Sequence, residues 1–247
     1  MHPMKYQLLF TIIFCFAGPA GAQLSDSARF AFEYSGTGII NNTDISHSFI
    51  FRNALGADVK MGDWYLNNDL SWIYGKSNRL KSNDDVQAVV DLNYRKESTK
   101  YVVWVLGTYD KSYSLKINKR LQYGGGVSYN ILNKNDNRIN ISDGILHEES
   151  NLLLRSGEND IYQTWRNSLR LKYRFHLKEI IVISGTHFIQ HSLSEKEDYN
   201  IRSQSDLSLR LYKWISFTTS VIYNKINRLK SENFLLTVGL TARKNFR

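Results

Sequence analysis

The sequence predicts an all-β protein, a 12-stranded antiparallel barrel that crosses a membrane. Three observations indicate this. Apolar and polar residues alternate with a period of two along most of the chain. The last alternating segment is long enough to cross a bilayer at a tilt. The N-terminus has the three parts of a secretory leader.

The C-terminal segment shows the alternation most clearly, because one of its faces carries Phe234, Leu236, Val238, Leu240 and Phe246. Such a strand is longer than most strands of soluble sheets and suits a tilted crossing of a bilayer. The aromatic residue beside the C-terminus resembles the sorting signal of bacterial outer-membrane barrels. In a closed barrel, this strand must pair with the first strand near residues 29–36. We therefore expect its outward face to be shared by Phe30, Phe32 and Tyr34.

The N-terminus is typical of a secretory signal peptide. Residues 1–5 are short and basic, residues 6–17 are apolar, and small residues stand at Ala20 and Ala22. This apolar run is too short to span a bilayer as a helix. We expect cleavage before Gln23, which divides the chain into a signal peptide, residues 1–22, and a barrel domain, residues 23–247. Cys15 lies inside the apolar run, which argues against lipidation.

The composition of the mature domain suits a barrel. Both prolines and the single cysteine of the sequence lie in the leader. Because proline lacks a ladder donor, a chain that is nearly all strand avoids it. Without cysteine the mature domain has no thiolate metal site, and no cofactor is expected. The net charge of +9 is spread over predicted lumen and loops, so nucleic acid is not an expected partner.

Eleven further segments alternate in the same way. We predict them near residues 29–36, 43–55, 63–75, 86–95, 101–109, 120–131, 138–147, 165–175, 180–190, 201–211 and 215–224. Twelve is an even number, as in single-chain bacterial barrels. The intervening segments predict short periplasmic turns and mostly longer extracellular loops. The turns are 56–62, 96–100, 133–137, 176–179 and 212–214, and the loops are 76–84, 110–119, 148–160, 191–198 and 225–231. The alternative is a secreted soluble barrel or sandwich, whose strands average five or six residues.

Residues 120–148 resemble a known family, the domain of unknown function 481, whose members are often described as salt-induced outer-membrane proteins. The resemblance rests on a glycine-rich strand ending in Gly-x-x-Tyr, a polar turn, an alternating Ile strand, and a Gly before an acidic residue. The matching positions are Gly124, Gly126, Tyr129, residues 133–137, Ile139, Ile141, Gly144 and Glu148. The resemblance implies an outer-membrane β-barrel and no established activity. Asp143 interrupts the alternation, and we expect a bulge near residues 143–144. The central glycines predict a bend or close packing in the barrel wall.

The predicted lumen carries many charges. Basic residues there are Arg166, Arg170, Lys172, Arg174, Arg202 and Arg210, and the acidic candidates are Glu33, Asp69, Asp91 and Asp206. A basic wall favours anions, which predicts a narrow anion-preferring channel. The alternative is an internal salt-bridge network that fills a narrow barrel, since wide aqueous channels need about 16 strands.

Catalysis is a second class of function. Outer-membrane lipid- or lipopolysaccharide-modifying enzymes need a nucleophile with a histidine and an orienting polar group. The mature histidines are His47, His147, His176, His187 and His191, and acidic residues near predicted extracellular ends are Glu148, Glu149, Glu195 and Asp198. No nucleophile motif surrounds any serine, and no metal-ligand spacing occurs. We therefore expect no enzyme, no catalytic residue and no metal site.

A short repeat, Asn78-Arg79-Leu80-Lys81-Ser82, recurs at residues 227–231, and both copies fall in predicted extracellular loops. Basic loops there suit the phosphates of lipopolysaccharide, but two ordinary polar loops, or a remnant of hairpin duplication, are the favoured explanation. The expected protein is a monomeric 12-stranded antiparallel transmembrane β-barrel of the bacterial outer membrane. Its expected partners are membrane lipids, lipopolysaccharide and, during insertion, the barrel-assembly machinery. Its predicted function is that of a non-catalytic envelope protein or narrow channel, with surface binding through loops as a further alternative.

Overall fold

The computed structural model describes residues 29–96, 99–134, 137–177 and 180–246. Within them, twelve antiparallel strands form a closed barrel in which each strand pairs with its sequence neighbours and the first pairs with the last. The predicted strand number and closure are confirmed. The predicted signal peptide lies outside the described residues. Among the described residues, no helix is long and apolar enough to cross a membrane.

The strands run in chain order around the wall. They are β1 Phe30–Asn42, β2 His47–Met61, β3 Trp64–Ser77, β4 Leu80–Tyr94, β5 Tyr101–Ser112, β6 Ile117–Lys134, β7 Asn137–Leu153, β8 Asn159–Leu177, β9 Ile181–Ser192, β10 Tyr199–Arg210, β11 Ile215–Ile226 and β12 Ser231–Phe246. A single 3₁₀ turn, Asn227–Leu229, joins β11 to β12. We call the end that holds Arg29 and Phe246 the terminal end, and the opposite end the distal end.

The closing pair of strands has the predicted faces. Phe30 lies opposite Phe246, and Tyr34 opposite Ala242. Directly opposed residues of an antiparallel pair share a face, so the exposed aromatics of β1 lie on the outer surface with the exposed apolar residues of β12. On the inner face, the Thr237 hydroxyl donates to Thr37 Oγ1 at 2.9 Å. The outward face that the sequence predicted β1 and β12 to share is therefore confirmed.

Most of the predicted long loops at the distal end are shorter in the structure, although residues 193–198 keep most of the loop predicted at 191–198. The loop expected at 76–84 is reduced to residues 78–79, and the one expected at 148–160 to residues 154–158. Strand β2 likewise extends to Met61, so the turn expected at 56–62 occupies residues 62–63, and Ile45 lies before the strand. The ladder continues beyond the membrane-facing stretch because backbone hydrogen bonds do not require apolar side chains. Asn78 and Arg79 both have positive φ, 48° and 69°, as a two-residue hairpin turn requires.

The bulge expected near Asp143 is also wrong. The β7–β8 register is the same on both sides of Asp143, since Ser142 lies opposite Arg170 and Ile145 opposite Asn167. Asp143 remains on the outer face, where its carboxylate accepts a hydrogen bond from Asn167 Nδ2 at 2.8 Å. This local partner replaces the rearrangement that the sequence pattern suggested. The register shifts occur instead near residues 75–76, 110–112, 117–119 and 130–132.

Candidate functional site

The candidate site is the lumen. Its main cavity has a volume of ≈ 520 Å³. A second cavity of ≈ 180 Å³ shares Glu33, Arg52 and Asp69 with the first and extends to Lys213 and Trp214 in the β10–β11 turn. The two cavities thus form one polar space that reaches the terminal end of the barrel.

An apolar cluster closes the other end. The cluster, which we call the cap, consists of Leu115, Ile117, Leu152, Ile226 and Leu229. All five side chains are buried, and Leu152 is fully so. Leu115 and Ile226 also line the main cavity, so the cap forms its distal wall. An apolar cluster across the mouth of a barrel prevents water and small ions from passing there.

A buried charge network lies beside the cap. Arg166 Nε contacts Glu148 Oε2 at 2.8 Å, and Arg166 Nη2 contacts Asp198 Oδ1 at 2.9 Å. The Glu148 carboxylate also accepts hydrogen bonds from Gln122 at 2.6 Å and from the Tyr162 hydroxyl at 2.7 Å. Arg166 and Glu148 are wholly inaccessible to solvent. A buried ion pair with this many additional partners holds β6, β7, β8 and the β9–β10 connection in one arrangement.

The 3₁₀ turn of the cap is fastened to the same network by Arg228. Its guanidinium contacts Asp160 at 2.6 Å, Glu195 at 3.1 Å and Asp198 at 3.5 Å. It also lies 4.0 Å from the centre of the Tyr162 ring. Hydrogen bonding to Asp160 raises the pKa of Arg228 above its ordinary value, so the guanidinium stays charged at any physiological pH.

The two copies of the sequence repeat therefore differ in structure. Arg79 lies in an exposed two-residue turn, and Leu80 beside it is 75% exposed. In the second copy the equivalent residues, Arg228 and Leu229, are held in the charge network and the cap. Both copies lie at the distal end, but only the second closes the lumen.

Three further ion-pair layers follow towards the terminal end; the first two cross the lumen, and the third joins neighbouring strands of the wall. Asp110 binds Arg120 at 3.2 Å and Arg202 at 2.9 Å. Asp91 of β4 reaches across to β8, where it binds Arg170 at 2.9 Å and Lys172 at 2.8 Å. Nearest the terminal end, Arg243 binds Glu33 at 2.8 Å and Asp58 at 3.2 Å. These layers narrow the lumen without filling it.

The lumen candidates chosen from the sequence occupy two kinds of position. Five of them take part in the ion pairs: Arg166, Arg170, Lys172, Arg202 and Asp91, while Glu33 joins the Arg243 layer. Arg174 and Arg210 line the cavity wall. Neither forms an ion pair with a described residue, so each adds positive charge that the described lumen does not neutralise locally. Sequence alternation did not distinguish the two kinds, because both point inward.

The glycine motif of β6 and β7 is closely packed, as the sequence predicted, and its packing partner is a tryptophan. Trp104 of β5 points inward, and its indole lies against Gly126 and Gly144. A Cβ at Gly126 would lie 2.7 Å from Trp104 Cζ2, and one at Gly144 would lie 2.8 Å from Cη2. The Arg170 guanidinium lies over the same indole, 5.0 Å from the ring centre. The glycines thus form a seat for Trp104, which in turn positions a lumen arginine.

Replacing Gly144 tests this seat. We expect Gly144→Val to destabilise the barrel by about 1–3 kcal/mol, because its side chain would overlap the indole. Gly107→Val on β5 is the matched control, since a Cβ there has no heavy atom within 4 Å. Urea unfolding in micelles, followed by tryptophan fluorescence, measures both variants. Equal midpoints for the two would contradict the seat.

Among the described residues, the histidine and acid candidates form one close pair, His147 Nδ1 and the Glu149 carboxylate, 3.9 Å apart. His147 is on the outer face of β7, its ring 4.8 Å from that of Trp165. Glu148, the next residue, points into the lumen. His176, expected in a turn, lies within β8. His187 Nδ1 lies 2.6 Å from Ser203 Oγ, but among the described residues no carboxylate or amide bonds to this imidazole. His47 and His191 contact Asn42 and Tyr199 on the outer surface.

The described residues contain no group of three or more metal-ligating side chains in position to hold an ion.

Most of the chain matches a known protein family. The family model described as "Protein of unknown function, DUF481" matches residues 41–242, which include the glycine seat, Trp104 and most of the ion-pair layers. The chain belongs to the DUF481 family. The predicted family is confirmed, and no curated protein matches this DUF481 chain.

Solved structures resemble the DUF481 barrel in fold. The translocator domain of the autotransporter NalP from Neisseria meningitidis has a TM-score of 0.53 and 10% identity, with 92% of this chain and 89% of that chain covered. The NanC porin has a TM-score of 0.51 and 13% identity, with 87% and 99% covered. At such identities the likeness establishes the fold alone. This DUF481 protein therefore has the fold of outer-membrane β-barrels.

Proposed function

We propose that the protein is a narrow, non-catalytic outer-membrane channel that prefers small anions, with its distal mouth closed by the cap in the conformation described. The observation that carries this proposal is the basic cavity that runs from the terminal end to the cap. Arg174 and Arg210 line it without an ion pair to any described residue. Fixed positive charge in a low-dielectric wall attracts anions.

The ion-pair layers support a narrow pore rather than a wide one. Arg170 and Lys172 reach across the lumen to Asp91, so they reduce the free cross-section. The remaining space of ≈ 520 Å³ suits small solutes. The NanC structure is described as a porin, and its shared fold is compatible with conduction by this chain. Both termini in the periplasm would place the cap at the cell surface.

Current through planar bilayers tests the proposal. Under a KCl gradient, we expect a reversal potential that favours chloride. The double variant Arg174→Gln/Arg210→Gln should shift this potential towards zero, because it removes two unpaired charges from the wall. Lys119→Gln, an exposed position on β6, is the control and should leave it unchanged. Cation preference, or no current at any voltage even with a loosened cap, would exclude the channel.

A further inference from the structure

Arg52 of β2 is an unusual arginine. It is 8% exposed, and its Nε is buried without a hydrogen-bond acceptor. Among the described residues, no carboxylate lies within ion-pair distance of its guanidinium. Arg52 and Gln204 are shared by the linings of three adjoining cavities of ≈ 520, 180 and 70 Å³. A permanently charged group is therefore buried at the junction of the lumen spaces without a partner.

Asp69 of β3 is the acidic counterpart of Arg52, since it lines two of the same cavities without a partner among the described residues. It lines the two larger cavities together with Arg52. Within the described part of the chain, its carboxylate forms no ion pair and accepts no hydrogen bond. Gly56 lies opposite Asp69 in the β2–β3 register. Because Gly56 lacks a side chain, the space beside the carboxylate stays open; a Cβ there would lie 3.5 Å from Asp69 Oδ1.

The other acidic groups near Arg52 are already engaged. The acids that act on it electrostatically are Asp206, Asp69 and Glu33. Asp206 accepts hydrogen bonds from Gln204 and Ser220, and Glu33 binds Arg243. Asp69 and Arg52 thus face one cavity with opposite charges and yet do not pair. Burying a charge without a partner is costly, which indicates a role other than stability.

We propose that Arg52 and Asp69 bind the two ends of a small zwitterion, a solute that carries both a carboxylate and an ammonium group. The guanidinium fork matches a carboxylate, and the Asp69 carboxylate accepts from the ammonium group. A simple anion at Arg52 would be repelled by Asp69, and a simple cation at Asp69 by Arg52. The proposal rests on the proposed function in one respect, that small solutes enter the lumen from the terminal end.

Titration of the purified protein in detergent micelles tests the site without any measurement of current. The probes are glycine, acetate and methylammonium, followed by calorimetry. We expect glycine to bind at least about tenfold more tightly than either single-charge probe, the factor that one charge-assisted hydrogen bond supplies. Asp69→Asn should abolish the advantage of glycine over acetate. Arg52→Gln should abolish glycine binding, while Arg138→Gln, another cavity arginine, should not.

Acetate binding as tightly as glycine, or glycine binding unchanged in Arg52→Gln, would overturn the zwitterion site. If Arg52→Gln does not fold, Arg52→Lys keeps the charge but lacks the fork, and glycine affinity should still fall by about tenfold. Glycine binding by a protein that passes no current even with a loosened cap would exclude the channel and keep the site. Chloride current without preferential glycine binding would exclude the zwitterion site and keep the channel.

Discussion

Glu148→Gln is expected to lower the free energy of unfolding by about 3–5 kcal/mol, because removing one partner of a buried ion pair leaves the other charge uncompensated. Arg166, wholly buried, would lose its ion pair with Glu148 at 2.8 Å and keep Asp198 as its remaining carboxylate partner among the described residues. The Tyr162 and Gln122 hydrogen bonds would also weaken. Urea unfolding in micelles, monitored by tryptophan fluorescence, gives the change.

The next residue supplies the matched control. Glu149 has the same side chain but lies on the outer face, where its carboxylate is 3.9 Å from His147 Nδ1. Glu149→Gln is expected to change stability by no more than about 0.5 kcal/mol, as for other surface substitutions. Similar losses in the two variants would contradict the assignment of faces on β7.

Loosening the cap is expected to raise the open probability of the channel by about tenfold. Arg228→Gln/Leu229→Asn removes three ion-pair contacts and one apolar cap residue. Partly exposed pairs contribute about 0.2–1 kcal/mol each. Their joint loss of roughly 1.4 kcal/mol shifts an open–closed equilibrium by about tenfold. Single-channel recording in planar bilayers measures the change in open probability.

The first copy of the sequence repeat provides the control. Arg79→Gln/Leu80→Asn makes the same two changes at the same end of the barrel, but in an exposed turn outside the cap. We expect this variant to conduct like the native protein. Equal gains in both variants would show that the cap does not limit conduction.

The fold was largely predictable from sequence because the period-2 pattern identifies both the strands and their faces. Phe30 and Phe246, at opposite ends of the domain, lie on one outer surface as the alternation requires. Strand ends were less predictable. Residues 80–84 form part of β4 although the sequence predicted a loop there. Alternation reports where the outer face meets lipid, whereas the ladder continues into the aqueous region.

The site was only partly predictable. The period-2 alternation shows that residues such as Arg170 and Arg174 point inward. Their partners, however, depend on which strands oppose each other across the lumen. Asp91 and Arg170 are 79 positions apart in the chain. The cap combines residues from five connections and strands, so no single segment of the sequence reveals it. The sequence did contain a sign of the Trp104 seat, because an inward tryptophan on β5 is followed by glycines on β6. A single sequence does not reveal the strand register that brings them together.

The most direct test of a basic lumen closed at its distal end is the reactivity of a single cysteine at Ser184, which lines both main cavities. The only cysteine of the sequence, Cys15, lies in the predicted leader, so Ser184→Cys gives one thiol in the mature domain. Anionic and cationic thiol reagents of equal size are added to either side of the membrane. We predict faster modification by the anionic reagent, only from the terminal side, and from both sides once Arg228 and Leu229 are replaced. Faster modification by the cationic reagent, or equal modification from both sides with the native cap, would contradict the account.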